Sequence, residues 1–158
     1  MSEFPHLTDE GDVHMVDVSG KAVTDRIAVA EGVVSLATGT ADALFGGSLP
    51  KGDALASIRL AGIMGAKRTP DLVPLCHPIL LSGVKVDVER CAEGARITAQ
   101  VSTSGQTGVE MEAMTAVSVA ALALYDMVKG VERAVEIGPV RLIHKSGGRS
   151  GEWNRSGI

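Results

Sequence analysis

Four charged residues stand at the two ends of a long apolar segment and are the first candidates for chemistry. Glu110 and Glu112 precede the segment and Asp126 and Lys129 follow it, while residues 113–125 carry no charge. Glutamates at a helix entry either stabilise the helix start or accept hydrogen bonds from the N–H groups of a ring. An aspartate three residues before a lysine forms either a surface ion pair or a coupled acid–base pair. Burial at the end of an apolar helix would move Lys129 towards its neutral form, against the charge of Asp126.

The apolar segment predicts a helix, and the length of that helix separates its charged ends. Its Ala, Val, Leu and Met content favours a helix buried on nearly all sides. Glu112 and Asp126 are fourteen residues apart, which places them about 21 Å apart along the helix axis. One metabolite does not span that distance. Either the two ends serve different sites, or the Glu end of one subunit meets the Asp and Lys end of another. We favour the second interpretation, which predicts an oligomer with composite sites.

Basic residues beside turns form a second candidate group. The basic residues outside regular positions are Arg26, Lys51, Lys67, Arg68, Lys129, Lys145 and Arg149. Several of them stand beside Gly, Thr or Pro at the ends of predicted elements, in KG at 51–52, KRTP at 67–70 and KSGG at 145–148. Such side chains, together with exposed backbone amides, suit a polyphosphate. The alternative is that each is simply a solvated surface charge, as most Lys and Arg are. The run 145–151 is not a P-loop, because its lysine precedes the glycines.

A rigid segment carries Cys76 and His77 between Pro74 and Pro78. The two prolines hold this segment extended and exclude it from a helix interior. His77 in such a position suits hydrogen bonding or proton transfer, and the alternative is a partly buried structural histidine. A zinc half-site is the weaker interpretation, because the other histidines and Cys91 show no ligand spacing. We therefore predict no metal site.

The elements that carry these residues mix strand and helix patterns. Strands are predicted over residues 15–18, 26–36, 84–89, 95–103 and 140–143. Gly32 is predicted to form a bulge in the second strand, and residues 92–94 a hairpin turn. Helices are predicted over residues 42–45, 53–67, 69–71, 113–125 and 132–135. Asp53 is the predicted N-cap of the second helix. Hairpin-type alternation beside helices predicts an α+β fold, with an antiparallel sheet and helices on one face.

Length and composition set the broad class. A chain of 158 residues with a net charge of −4 indicates one globular domain and argues against nucleic-acid binding. The apolar run 115–124 is too short for a bilayer and no signal peptide is visible, so we expect a cytoplasmic protein with free thiols and no membrane contact. We expect a mobile segment over residues 1–13, one catalytic domain over 14–145 and a flexible Gly/Ser-rich tail over 146–158.

Together these stretches resemble the molybdenum cofactor biosynthesis protein C family. They run in the family's order from about Val13 to Gly151: HMVDV at 14–18, KGD at 51–53, RLAGI at 59–63, AKRT at 66–69, DLVPLCHP at 71–78, TGVEMEA at 107–113, YDM at 125–127 with Lys129, and KSGGRSG at 145–151. Residues 84–103 are less distinctive. Departures from the family pattern are conservative and occur at Val73, Met114 and Arg149.

The resemblance implies a ferredoxin-like subunit in a homohexamer, built as a trimer of dimers with active sites at subunit interfaces. It implies the activity of a cyclic pyranopterin monophosphate synthase. Such a lyase converts 3′,8-cyclo-7,8-dihydroguanosine 5′-triphosphate to cyclic pyranopterin monophosphate and releases pyrophosphate. A radical S-adenosylmethionine enzyme would supply the substrate and is a further expected contact. No cofactor is implied, and the sequence leaves open whether Mg²⁺ accompanies the triphosphate.

The same resemblance gives individual residues expected roles. Asp126 and Lys129 are the expected catalytic pair, with Lys51 of the facing subunit as a further acid–base or electrophilic group. Glu110 is expected to hold the guanine-derived ring. The residues expected to contact the triphosphate are Arg26, Lys67 and Lys145. Those expected to contact the rest of the substrate are Leu75, Cys76, His77, Met111 and Glu112.

Two other functions stay open from the residues alone. A non-catalytic oligomeric module that binds a phosphorylated metabolite or a pathway partner would need the basic pocket, but it would not need Asp126 beside Lys129. Normal ligand affinity together with unchanged turnover after Asp126→Asn would favour this module. A metal-dependent hydrolase is the weaker alternative, and activity that survives a chelator would remove it.

Overall fold

The computed structural model describes residues 6–8 and 10–157, which form an α+β fold around one antiparallel sheet. The elements in chain order are β1 (Thr24–Ser35), α1 (Thr38–Phe45), α2 (Ala54–Lys67), α3 (Thr69–Leu72), β2 (Gly83–Cys91), β3 (Gly94–Gly105), α4 (Glu110–Val128), β4 (Glu136–Ser146) and β5 (Trp153–Asn154). The strands lie in the order β2-β3-β1-β4-β5. The first four have the order of a ferredoxin-like unit. The predicted fold class is therefore confirmed.

The central strand β1 carries small residues, which allow α4 to pack closely on it. It pairs antiparallel with both β3 and β4. Ala28, Ala30 and Val34 are buried on the helix side, as alternate residues of a strand are. A Cβ atom at Gly32 would lie 2.8 Å from Val117 Cγ1 of α4. The pairing with β4 shifts register between Gly32 and Val34, which confirms the predicted bulge.

The helices α2 and α4 pack against each other through small residues. The start of α2 is capped as predicted, because the Asp53 carboxylate accepts a hydrogen bond of 3.0 Å from Ala56 N. Further along α2, a Cβ atom at Gly65 would lie 2.8 Å from Val119 Cβ of α4. This close approach holds the loop before α2, with Lys51, against the C-terminal end of α4.

The helix α4 is buried on the side that faces the sheet and α2, but not on nearly all sides as predicted. Val117 and Leu124 are inaccessible to solvent, whereas Met111 is 42% exposed and Leu122 is 60% exposed. The reason is that one chain supplies cover on one side only. By length and composition α4 could cross a membrane, but half of its apolar stretch is buried inside the protein, which is typical of a core helix.

Two short segments differ from their predicted elements. The predicted strand at residues 15–18 is wrong, because these residues pair with no strand and the Val16 carbonyl instead accepts a hydrogen bond from His77. The predicted helix at residues 132–135 is also wrong. There the Glu132 carboxylate accepts the backbone N–H of Ala37, at the start of α1. In both segments a side-chain contact with a distant part of the chain replaces local structure.

The two ends of the chain have local pairing. Near the N-terminus, Leu7 and Val13 form an isolated antiparallel bridge. Near the C-terminus, β5 pairs antiparallel with β4. The mobility expected for residues 1–13, some of which lie outside the described part, and the flexibility expected for residues 146–158 stay predictions.

Candidate active site

A cavity of about 510 Å³ opens beside the N-terminal end of α4. Its walls come from the loop before β1, from the segment between α3 and β2, and from the first turn of α4. Six of the predicted substrate contacts line it together: Leu75, Cys76, His77, Glu110, Met111 and Glu112. Small-molecule sites occupy roughly 300–1,000 Å³, so the cavity has the size of a metabolite site.

One hydrogen bond defines the tautomer of His77. The ring lies half-buried within the Pro-bounded segment, and its Nε2 atom is 2.7 Å from the backbone oxygen of Val16. A carbonyl oxygen can only accept, so Nε2 carries the proton. In the neutral ring Nδ1 is then an acceptor that can take a proton from a ligand.

Two further groups in this cavity are pushed towards their neutral forms. Glu112 is 2% exposed. Burial raises the pKa of its carboxyl, a hydrogen bond from its own backbone amide opposes this, and the charge of Glu110 adds to the increase. Burial also raises the pKa of the Cys76 thiol, and the charge of Glu112 contributes. Glu112 is therefore a candidate proton donor, whereas Cys76 is a weakly polar wall rather than a nucleophile.

A second cavity of about 800 Å³ adjoins the first and forms a cationic groove. Its basic residues are Lys21, Arg26, Lys145 and Arg149. Arg26 and Lys145 come from the neighbouring strands β1 and β4. Arg26 Nε donates a hydrogen bond of 2.9 Å to the backbone oxygen of Gly105, which fixes the plane of the guanidinium group. The groove can hold several phosphate groups through charge-assisted hydrogen bonds.

Glu110 and Lys145 form an ion pair at the boundary between the cavity and the groove. Lys145 Nζ is 2.8 Å from Glu110 Oε1, and both side chains are partly buried. Gly108 makes room for this carboxylate, because a Cβ atom there would collide with Glu110 Oε2. A phosphate that binds Lys145 must share the ammonium group with Glu110 or displace it.

A separate cluster of Lys51, Asp126 and Lys129 lies at the C-terminal end of α4. Asp126 Oδ2 is 2.8 Å from Lys51 Nζ, and Oδ1 is 2.7 Å from Lys129 Nζ. Lys51 also donates to the backbone oxygen of Asp126 at 2.7 Å. Hydrogen bonds from Lys129 and then from Lys51 lower the pKa of Asp126 to about 2. The predicted ion pair between Asp126 and Lys129 is confirmed.

Two features of this cluster differ from expectation. Lys51 was expected to join Asp126 from a facing subunit. That expectation is wrong, because the two side chains pair within one chain. The expected effect of burial on Lys129 is also wrong. Its side chain is 50% exposed, and the hydrogen bond and charge of Asp126 raise its pKa. The aspartate therefore stabilises the ammonium form, and two cations share one carboxylate.

The expected site residues do not all meet within one chain. The cavity and the cluster lie at opposite ends of α4, and the helix separates Glu112 from Asp126 by about 21 Å. Lys67, the last residue of α2, is exposed and lines neither the cavity nor the groove. Among residues 6–8 and 10–157, no group of three His, Cys, Asp or Glu side chains is arranged to hold a metal ion.

Two residues at the boundary between cavity and groove were missed by the sequence analysis. Lys21 lines both spaces, and Gln106 lines the groove. Lys21 follows Gly20, so the rule that selects Lys51 beside Gly52 would also select it. Gln106 has no comparable signal, because an uncharged amide in a turn has many uses.

The chain is similar over most of its length to one family and to named proteins from several organisms. The MoaC family model matches residues 15–148. A Corynebacterium efficiens protein is 54% identical over 154 residues, covering 98% of this chain and 99% of that protein. A Pelotomaculum thermopropionicum protein is 54% identical over 159 residues, covering 99% and 94%, respectively. A Streptomyces coelicolor protein is 56% identical over 151 residues, covering 96% and 89%. All three are named cyclic pyranopterin monophosphate synthase.

Proposed function

Because the chain belongs to the MoaC family, we propose that it is the cyclic pyranopterin monophosphate synthase of molybdenum cofactor biosynthesis. The proposed reaction takes 3′,8-cyclo-7,8-dihydroguanosine 5′-triphosphate to cyclic pyranopterin monophosphate with release of pyrophosphate, which makes the enzyme a lyase. Identity of 54–56% to three proteins of that name, along nearly the whole chain, supports the proposal.

The direct continuity of the cavity and the cationic groove is the geometric observation that carries the proposal. The two spaces have four lining residues in common: Lys21, Thr107, Gly108 and Glu110. On one side, His77 and Glu112 offer a proton acceptor and a proton donor to a polar ring. On the other side, Arg26 and Lys145 offer positive charge to phosphates. A ring system with a triphosphate tail needs both environments in one molecule.

In this proposal the residues of the cavity and groove have distinct tasks. The Glu112 carboxyl and His77 Nδ1 exchange protons with the ring system. Leu75, Cys76 and Met111 supply the less polar wall against which the ring packs. Arg26 and Lys145 neutralise the charge that pyrophosphate gains as it leaves. Because Lys67 lines neither space in its own chain, its expected contact with the triphosphate requires a second subunit.

We further propose that Lys51, Asp126 and Lys129 complete the site from a neighbouring subunit, as acid–base groups. Within one chain they lie about 21 Å from Glu112 along α4. Exposed apolar residues of α2 and α4 supply surface for such an interface: Leu60, Met64, Met111 and Leu122 are 58%, 55%, 42% and 60% exposed. The proposed assembly is a homohexamer, a trimer of dimers, with the upstream radical S-adenosylmethionine enzyme as supplier of substrate and transient partner.

The proposed enzyme works in the cytoplasm and without a protein-bound cofactor. The four basic side chains of the groove can neutralise most of the charge of a triphosphate. The alternative is that Mg²⁺ enters with the triphosphate. Full activity in a chelator would support the first form of the proposal, and activity that needs added Mg²⁺ would support the second.

Conversion of the cyclised GTP intermediate by the purified protein is the direct test. Pyrophosphate and pterin are measured together for wild type, for Lys51→Ala and for a control, Lys85→Ala. Lys85 is an exposed lysine of β2 that pairs with Asp87. We expect both products from wild type and control, and neither from Lys51→Ala. A folded wild-type protein that binds GTP but forms neither product would contradict the proposal and favour the binding module.

A second variant separates catalysis from binding. Asp126→Asn removes the charge that holds two lysines in place but keeps the shape of the side chain. We expect turnover to fall sharply while the affinity for GTP stays within about twofold, since the cations of the groove, and not Asp126, bind the phosphates. Normal turnover in this variant would remove Asp126 from the proposed mechanism.

A further inference from the structure

We propose that Lys21 binds the first phosphate of the substrate, the one that stays in the product, and that Gln106 is the residue that positions Lys21. This inference rests on the proposed function, because it assumes a ligand whose ring lies in the cavity and whose phosphates lie in the groove. It concerns two residues that the family resemblance and the sequence analysis leave without a role.

Among residues 6–8 and 10–157, Lys21 is the one cation on the wall that the cavity and the groove have in common. The other residues of that wall are Thr107, Gly108 and Glu110. A ligand that extends from one space into the other crosses this wall at the phosphate nearest its ring. Among the described residues, Lys21 forms no ion pair with a carboxylate, whereas Lys145 is held by Glu110. The ammonium group of Lys21 therefore needs no exchange of partners before it binds a phosphate.

The loop that carries Lys21 is fixed by hydrogen bonds at both of its ends. Asp17 Oδ1 accepts from Ser19 N at 2.8 Å, and Lys21 N donates to the Val18 oxygen at 3.0 Å. Gln106 Nε2 then donates to the backbone oxygens of Ser19 and Lys21, at 2.9 Å and 3.0 Å. Both acceptors are carbonyl oxygens, so the amide nitrogen must face them and the orientation of the amide is defined.

These hydrogen bonds couple the two sides of the boundary. Gln106 directly precedes Thr107 and Gly108, which form the opposite part of the common wall. By holding the Ser19 and Lys21 carbonyls, Gln106 sets the distance between the lysine backbone and that wall. Loss of this amide would keep the charge of Lys21 but would let the loop backbone move, so that the ammonium group is spread over more positions and its charge-assisted contact weakens.

The proposed reaction distinguishes the first phosphate from the other two. Its phosphorus gains a bond to a substrate hydroxyl oxygen, whose proton passes to a base, and loses its bond to the pyrophosphate oxygen, which keeps the electron pair. Lys21 would contact the part that remains in the product. Arg149 lines the groove but not the cavity, so it meets only the phosphates that leave. The two cations should therefore respond differently to the length of the phosphate chain.

Binding of guanosine, GMP and GTP tests this difference, with calorimetry or competition as the measurement. We expect Lys21→Ala to weaken GMP and GTP alike, by about tenfold to a hundredfold, and to leave guanosine unchanged. Arg149→Ala should weaken GTP but not GMP. Lys21→Arg should recover most of the loss, because it restores the charge. The control Lys85→Ala should bind all three as wild type does.

Gln106→Ala supplies the readout for a positioning role. We expect it to weaken GMP, by a smaller factor than Lys21→Ala does, while guanosine affinity and the unfolding temperature stay close to wild type. A general structural role would weaken guanosine as well. In the double variant of Lys21 and Gln106, the second substitution should add nothing, because the amide acts through the lysine.

Two outcomes would overturn the inference. One is wild-type protein that binds GMP no more tightly than guanosine, because no cation then meets the first phosphate. The other is Lys21→Ala that binds GMP as wild type does. Failure of the proposed function would look different: wild type would form no pyrophosphate or pterin from the cyclised intermediate, whatever the binding series shows.

Discussion

Subunits damaged at opposite ends of α4 should restore each other's activity when they assemble together. His77→Ala removes the proton acceptor of the cavity, and Lys51→Ala removes one cation of the cluster at the other end. The helix holds these two places about 21 Å apart between Glu112 and Asp126. If one active site takes its cavity from one subunit and its cluster from the next, a mixed assembly contains some sites in which both halves are intact.

The size of the recovery follows from the geometry. In assemblies formed at random from equal amounts of the two variants, a site has an intact cavity with probability one half and an intact cluster with probability one half. The product predicts about one quarter of wild-type activity. This fraction is the same for every arrangement in which each site draws its two halves from two different subunits. It does not depend on whether the assembly is a dimer or a hexamer.

The assay is pyrophosphate release after the two variants are unfolded and refolded together, or produced together in one cell. Each variant carries a different affinity tag, so mixed assemblies can be isolated and counted. A matched control mixes Lys51→Ala with Lys129→Ala. Both residues contact Asp126 within one chain, so every cluster in that mixture is defective and no recovery is expected.

Absence of recovery in assemblies shown to contain both variants would refute the composite site. Recovery in the control mixture would refute the assignment of Lys51 and Lys129 to one cluster. Recovery near one half rather than one quarter would also contradict the calculation, because it would mean that one of the two damaged ends contributes little to turnover.

The remaining predictions concern stability. Gly65→Ala should destabilise the fold by about 1–3 kcal/mol, because the new Cβ would lie 2.8 Å from Val119 Cβ. Urea unfolding measures this loss. The control Gly39→Ala should lose no stability, because a Cβ atom at this position of α1 would meet open space. Glu112→Gln should remove a pH dependence. The folded carboxyl binds its proton more tightly than the unfolded one, so the stability of wild type falls as the pH rises above the usual pKa of 4.5; urea unfolding across that range should show a flatter profile in the variant. Asp53→Ala should cost about 1 kcal/mol through loss of the α2 cap, and an unchanged thermal midpoint would contradict that role.

The regular elements were predictable because their patterns are local. Alternation in residues 84–89 and 95–103 predicts β2 and β3, and the apolar run 113–125 predicts most of α4. The bulge at Gly32 was predictable because a glycine interrupts a strand pattern. These features depend on periodicity within a few residues, which the sequence contains directly.

The wrong segments depend on partners that are distant in sequence. Residues 15–18 have a strand-like composition, but the position of His77 leaves the Val16 carbonyl with a side-chain partner instead of a strand. Glu132 would suit a helix, but Ala37 N needs an acceptor and Glu132 supplies it. The pairing of Lys51 with Asp126 follows from how closely α2 packs on α4. A sequence motif does not contain the distance between two such side chains, and it does not tell which subunit supplies each of them.

The same distinction between local and distant contacts applies to the residues of the candidate site. The segment that contains Cys76 and His77 was predictable because prolines fix its shape locally. Lys21 could have been selected by its neighbouring glycine. Gln106 could not, because its role depends on two carbonyl oxygens more than eighty residues earlier in the chain. Residues that act through backbone contacts leave little trace in composition or spacing.

The raised pKa of Cys76 has a consequence for the chemical durability of the protein. Burial raises the pKa of the Cys76 thiol above its ordinary value of 9.0, so the protonated thiol predominates at neutral pH. The thiolate rather than the thiol attacks peroxides, disulfides and electrophilic metabolites. The cavity can therefore keep a sulfur atom in its wall without making it a reactive nucleophile. We expect activity to survive exposure to mild oxidants that inactivate enzymes with a thiolate nucleophile.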